Sequence, residues 1–257
     1  MLELQGINKI FNAGTVDEAS IFSDFNFTIQ KGEFVSVIGS NGSGKTTLLN
    51  LICGNITPES GKIIFAGNDI TKQSEFKRAQ KIGRVFQDPK MGTCSGLTIL
   101  ENMALADNKN KGFGFGLAVN KKRANYYRSL LETCHMGLEN RLNTAVGSLS
   151  GGQRQALALV IANMSDIELL ILDEHTAALD PKAAETIMEL TEKFIKEKQI
   201  TALMVTHNLK FAVRYGNRLV MMHQGNCIID VKDKEKDTVQ IQTLLDKFNE
   251  ISIEMGN

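Results

Sequence analysis

Gly39-Ser40-Asn41-Gly42-Ser43-Gly44-Lys45-Thr46 is the stretch that decides the fold. It fills every fixed position of G-x-x-x-x-G-K-[ST]. It also stands where that pattern works, behind the β-branched run Phe34-Val35-Ser36-Val37-Ile38 and ahead of a helical run over residues 45–53. Glycines let the chain turn its N–H groups inward around phosphate oxygens, and a helix opening near Lys45 adds the positive end of its dipole. Lys45 offers a point charge to β- and γ-phosphates, and Thr46 offers a hydroxyl to Mg²⁺. A buried strand, a glycine-rich turn and a helix in this order predict an α/β core on a parallel sheet.

On the N-terminal side, Leu2, Leu4 and Ile7 lead to Ile10-Phe11. After a polar loop over 12–20, Phe25, Phe27 and Ile29 fall at period two, as half-buried antiparallel strands do. On the C-terminal side, strands are expected at 63–67 and 84–86, and helical periods run over 97–164. Leu169-Leu170-Ile171-Leu172 and Thr201-Ala202-Leu203-Met204-Val205 read as buried strands. The amphipathic stretch 181–198 lies between them, with Pro181 placed as a first helical residue. Residues 219–222 and 227–229 flank Gly225 as a hairpin, and a last helix is expected near 239–248. The 257 residues read as one domain, 1–257, whose sheet-based core is interrupted by a helical insert over 88–149.

With 42% hydrophobic residues the chain can bury a core, which excludes disorder as its main state. Lys plus Arg and Asp plus Glu both number 29, so bulk charge gives no support for binding nucleic acid or anionic membranes. No apolar run approaches the length of a membrane span, and the first residues lack a secretory pattern. Cys53, Cys94, Cys134 and Cys227 are scattered and read as reduced thiols rather than a disulfide frame or a zinc site.

Two further motifs carry chemistry. Leu169-Leu170-Ile171-Leu172-Asp173-Glu174 ends an apolar strand in two acids, at the sheet edge where ligands of α/β folds bind. Asp173 would hold the Mg²⁺ shell, and Glu174 would face and polarise an attacking water. Leu149-Ser150-Gly151-Gly152-Gln153 precedes a helical run over 154–164; Ser150 reads as an N-cap and the glycines expose N–H groups, which makes a second anion site in the same chain.

On these motifs the chain resembles the nucleotide-binding subunit of ABC transporters, over about residues 2–231. The resemblance implies a P-loop NTPase core with a parallel sheet, an N-terminal antiparallel β-subdomain and an α-helical insert. Residues 39–47 look like Walker A, so Ser40, Asn41, Gly42, Ser43, Gly44, Lys45, Thr46 and Thr47 are expected on ATP. Residues 169–174 look like Walker B. Ser150, Gly151, Gly152 and Gln153 look like the ABC signature, expected on nucleotide. Gln87, in Val85-Phe86-Gln87-Asp88, looks like the Q-loop glutamine that senses Mg²⁺ and water. Ala178-Leu179-Asp180 looks like the D-loop, and His207 like the switch histidine, donating to the γ-phosphate or orienting Glu174. Phe11 stands where the family stacks an aromatic ring on adenine, although a Phe in an apolar strand also reads as core.

Two positions depart from the family pattern: His175 replaces a usual proline and reads as a turn residue, and Ala156 stands where many relatives carry an arginine. The sequence 173–180 together with 152–157 is similar to a bacterial small-solute branch, some of it associated with aromatic amino acid uptake. The resemblance implies an ATPase with ATP and Mg²⁺ as ligands, on the cytoplasmic side of the membrane. A separate integral membrane permease, an ATP-dependent head-to-tail homodimer and a solute-binding protein in an importing system are the implied partners. Gly112-Phe113-Gly114-Phe115-Gly116-Leu117, between basic residues, reads either as self-packed or as a permease or membrane contact. Soluble ABC ATPases acting on DNA or ribosomes usually carry long coiled coils or two cassettes, and neither a sustained heptad run nor a second phosphate loop is present, so no nucleic-acid partner is expected. A P-loop kinase or GTPase would leave 149–153 without a role.

Overall fold

Alternating apolar residues in the first thirty positions make two long strands, β1 (Leu2–Phe11) and β2 (Ala19–Ile29), that pair antiparallel with Leu2 opposite Ile29 and Leu4 opposite Phe27. β3 (Phe34–Gly39) follows, then α1 (Lys45–Cys53), β4 (Ser60–Phe65), the two-residue β5 (Asn68–Asp69) and a one-turn helix α2 (Glu75–Arg78). The computed structural model describes residues 1–109 and 121–254. The next elements are β6 (Ile82–Val85), α3 (Ile99–Asp107), α4 (Ala124–Glu132), α5 (Gly151–Asn163), β7 (Leu169–Asp173) and α6 (Pro181–Lys198). The chain ends with β8 (Thr201–Val205), α7 (Leu209–Arg214), β9 (Arg218–His223), β10 (Asn226–Lys232), α8 (Asp233–Asp237) and α9 (Ile241–Glu254). Residues 112–117 lie outside the described residues.

Two units result, one of Met1–Arg78 with Thr201–Asn257 and one of Ala79–Ile200. In the first, β1 lies between β2 and β4 in an antiparallel sheet, and β3 lies between β8 and β9, parallel to both. β3 is buried along its whole length, which is why its sequence is continuously apolar rather than alternating. β10 returns antiparallel to β9, as the residues around Gly225 predict. Leu244 and Ile251 of α9 and Ala212 of α7 cover Ile38, Leu219 and Met221.

In the second unit β6 and β7 pair in parallel, with Ile82 opposite Leu169 and Val85 opposite Leu172. α3 and α5 open with capping boxes, Thr98 with Glu101 and Ser150 with Gln153. α6 opens on Asp180, whose carboxylate accepts from the Ala183 amide, with Pro181 in its first turn. Most elements fall where the sequence places them. The helix expected over 154–164 begins earlier, at Gly151, because the capping box fixes the chain at Ser150 and lets two glycines enter the first turn.

Arg218 fastens the first unit. Its guanidinium donates to both Asp230 oxygens at 2.7 Å, to a Glu33 oxygen at 3.0 Å and to the Thr28 carbonyl at 2.6 Å. Hydrogen bonds to Asp230, then the nearby carboxylate charges, hold it above the usual arginine range against the desolvation. Arg218→Ala leaves the half-buried Glu33 without its cation, so urea denaturation should show a loss of about 2 kcal/mol, below the range for a fully buried pair because Glu33 and Asp230 are both partly solvated.

Candidate functional site

The phosphate loop grows from the end of β3. Gly39 has φ +156°, and a Cβ there would lie 2.3 Å from the Met222 carbonyl oxygen and 2.7 Å from Ser43 Oγ, so only glycine fits. Gly44 has φ +100° as the cap of α1, and its missing side chain leaves room for the Phe22 ring. Lys45 is buried, and its Nζ donates to the Gly39 and Ser40 carbonyls at 2.8 Å each and to Ser43 Oγ at 3.4 Å. The Gly225 amide donates to the Ser43 carbonyl at 3.1 Å, tying the loop to the hairpin turn. Asn41, Gly42 and Thr46 are exposed, Ser40 and Thr47 half-buried. The loop thus exposes Asn41, Gly42 and Thr46 and keeps the Lys45 ammonium buried.

In the same unit His207 is exposed just beyond β8, beside Asn208, which caps α7 by accepting from the Phe211 amide. Phe11 ends β1 half-buried, with the Lys9 ammonium 5.1 Å from its ring centroid. It is therefore not a core residue: the strand ends there and leaves the side chain half-exposed.

The second unit carries the acids. Asp173 closes β7, and its Oδ2 accepts from Arg84 Nη2 at 2.7 Å. Glu174 is half-buried with φ +46°, a left-handed conformation that costs a non-glycine residue about 1 kcal/mol or more. The turn is held by the Ala177 amide donating to the Glu174 carbonyl at 2.9 Å. Strain at this one residue swings the side chain out of the strand's alternation. Gln87 is exposed two residues beyond β6.

The signature forms the rim of a cleft of about 390 Å³, shared with Leu179 and Asp180. Ser150 caps α5 by accepting from the Gln153 amide at 3.3 Å. The Gln153 side chain is engaged in the scaffold: its Oε1 accepts from the Ser150 amide and from Arg141, and its Nε2 donates to the Met136 carbonyl. Gly151 and Gly152 present the helix's first amides, and Gly152 is small enough for α6 to approach, a Cβ there lying 3.3 Å from the Ala183 methyl.

The ABC transporter family profile matches residues 22–177, more than half of the chain. The chain belongs to the ABC transporter ATP-binding family. Among its relatives, the cassette is 46% identical to the tyrosine transport ATP-binding protein of Clostridioides difficile, over 96% of this chain and 98% of that protein. It is 30% identical to the phosphonates import ATP-binding protein PhnC of Treponema denticola, over 100% and 98% of the two chains. A dimeric ATP-binding cassette, MJ0796, in a post-hydrolysis state bound to ADP and Pi superimposes with a TM-score of 0.77 at 30% identity, covering 90% of this chain and 98% of that one. The cassette is an ATP-binding, ATP-hydrolysing subunit, and among its described residues no helix is long and apolar enough to cross a membrane.

Two residues near the site carry no motif, and a third, His175, has surroundings that its motif position does not show. Gln155, wholly buried in α5, donates to the Phe86 carbonyl at 3.2 Å and so ties the signature helix to the residue beside Gln87. A lone amide among apolar neighbours on α5 is the signal for it. Arg84 is visible as a charge in a buried strand. The third is His175, a turn residue as expected, but fully enclosed. Its Nε2 lies 3.3 Å from Thr191 Oγ1, whose own hydrogen goes to the Ile187 carbonyl, so the Thr191 oxygen is left to accept from an imidazole that donates through Nε2.

Burial pushes the His175 pKa down to about 4. Above pH 6.5 both folded and unfolded chains are neutral here, and between 6.5 and 4 only the unfolded chain takes up the proton. Stability from this residue is thus complete above pH 6.5 and lost as pH falls through that window, by about 2 kcal/mol at pH 5. In nucleotide-free protein, His175→Gln should shrink the difference in unfolding free energy between pH 7.5 and pH 5 by that amount; an unchanged difference in urea titrations refutes the assignment.

Proposed function

We propose that this cassette powers the import of an aromatic amino acid of the tyrosine type through a separate integral membrane permease, from the cytoplasmic face of the membrane. The solute reading rests on the 46% identity, over nearly the whole of both chains, to a tyrosine transport ATP-binding protein. A solute-binding protein would deliver the amino acid to the permease, and residues 88–149 would dock on the permease as the helical insert of one cassette.

The observation that carries the nucleotide reading is Lys45: a buried ammonium already aimed at loop oxygens, within reach of the ring of amides at 40–47. Phosphate oxygens of ATP replace those carbonyls as acceptors, at little cost in reorganisation because the loop is already shaped. Phe11 stacks on the adenine. Thr46, Gln87 and Asp173 offer a hydroxyl, an amide oxygen and a carboxylate, a set of hard oxygen donors that suits Mg²⁺. When bound, Mg²⁺ neutralises charge on the β- and γ-phosphates. Glu174 takes a proton from the attacking water, and His207 donates to the γ-phosphate or orients Glu174.

The cleft of Ser150, Gly151 and Gly152 is a second ready-made anion site, on the N-terminus of the thirteen-residue α5. It serves the ATP of a second copy in a head-to-tail homodimer, with Gln153 holding the cap that shapes it. MJ0796, solved as a dimer with ADP and Pi, supports this pairing.

Lys45→Ala should lose most affinity for a fluorescent ATP analogue, since no neighbouring lysine in the loop replaces the charge. Glu174→Gln should bind ATP and lose turnover roughly a hundredfold or more. Light scattering should then show an ATP-dependent dimer of Glu174→Gln that Ser150→Arg abolishes without abolishing ATP binding; a dimer that tolerates Ser150→Arg refutes the shared site. Cells lacking the cassette should lose uptake of labelled tyrosine and recover it with the wild-type chain but not with Glu174→Gln. Undiminished uptake in its absence refutes the solute.

A further inference from the structure

Strand register brings a cation to the Walker B carboxylate. Arg84 stands opposite Ile171 in the parallel pair of β6 and β7. Side chains alternate between faces, so Arg84 and Asp173, two residues past Ile171, are diagonal neighbours on one face of the pair. Arg84 Nη2 donates to Asp173 Oδ2 at 2.7 Å, with the two side chains only 13% and 17% exposed. The Phe86 ring lies against the same guanidinium, its centroid 4.8 Å from Cζ. The cation is thus held from two directions, by a carboxylate and by an aromatic face, a geometry that suits arginine better than lysine.

We propose that Arg84 is a fixed internal competitor of Mg²⁺ for the Asp173 carboxylate, and that it sets the Mg²⁺ concentration at which the ATP-loaded cassette takes up its ion. The proposal rests on the reading of Asp173 as a Mg²⁺-shell residue. A carboxylate oxygen that accepts a charge-assisted hydrogen bond offers less negative potential to a second cation, and an ion drawn to Asp173 also meets the like charge of Arg84. Both effects weaken metal uptake. The opposing effect, looser placement of Asp173 without Arg84, is smaller. The aspartate has a short side chain, and its backbone sits at the end of a strand already in register with β6. Arg84 therefore acts through Asp173 as a positioning and tuning residue, and the pair makes the cassette respond to Mg²⁺ over a higher range than the carboxylate alone.

Direct metal binding tests this. Mn²⁺, followed by the EPR signal of the free ion, is titrated into Glu174→Gln protein holding substoichiometric ATP, so that turnover does not intervene. Arg84→Met keeps an apolar stem beside Phe86 and removes the charge; it should lower the half-saturating Mn²⁺ at least about threefold, with ATP affinity in EDTA unchanged. Arg84→Lys keeps a charge near Asp173 but lacks the planar fork that stacks on Phe86, so it should lower the half-saturating Mn²⁺ clearly less than Arg84→Met does. A half-saturation that is unmoved or raised in Arg84→Met overturns the proposal, and so does an equal drop in Arg84→Lys, which would make the effect one of packing. Asp173→Asn separates the two possible failures. If it leaves the half-saturation where it was, Asp173 is not a Mg²⁺-shell residue and the underlying reading falls. If it raises the half-saturation while Arg84→Met does not lower it, the role of Arg84 alone falls.

Discussion

The carbonyl of Met222 presses on the α-carbon of Gly39 so closely that a methyl group there would sit 2.3 Å from its oxygen. That contact fixes where β3 ends relative to β9, and everything in the phosphate loop is measured from it. With the strand end fixed, the chain must leave in a conformation open to glycine, turn, and enter α1 through a second left-handed glycine. Lys45 then lies under the loop and bonds its carbonyls. The hairpin turn at Gly225 and the ammonium of Lys45 hold the loop from two sides, so its amides are ordered before any phosphate arrives. Preorganisation of this kind is what makes electrostatic binding of phosphate strong, because the donors need not be gathered at the moment of binding.

In the second unit, hydrogen-bonded caps do the corresponding work. Ser150 and Asp180 each close the N-terminus of a helix, and the two helix starts share the signature cleft. Gln153 belongs to this scaffold through three side-chain hydrogen bonds, and Gln155 carries the scaffold on to Phe86. The helix that opens at Ser150 and the residue beside Gln87 are therefore tied by one buried amide within this unit. Asp173 and Glu174 are adjacent in sequence but set apart by conformation: one ends a regular strand under the hand of Arg84, the other is left-handed and strained. Two neighbouring carboxylates can take different roles because the backbone breaks between them.

The sequence by itself determined the α/β class, most strands and helices and the family, and it marked the candidate phosphate loop, acid pair and signature. These are written in local spacing: glycines that permit positive φ, a lysine and threonine at the opening of a helix, apolar runs of strand length, a serine ahead of a helical period. Tertiary structure decided the rest. It placed Phe11 half-buried at a strand end rather than in the core, and it enclosed His175 so fully that burial pushes its pKa down to about 4. It engaged Gln153 in its own helix cap and turned Arg84 onto Asp173 across two strands. None of these is a property of a residue and its sequence neighbours. Each depends on which distant backbone lies opposite, and that is set by strand register and helix packing, which a chain acquires only when its separate segments are brought together.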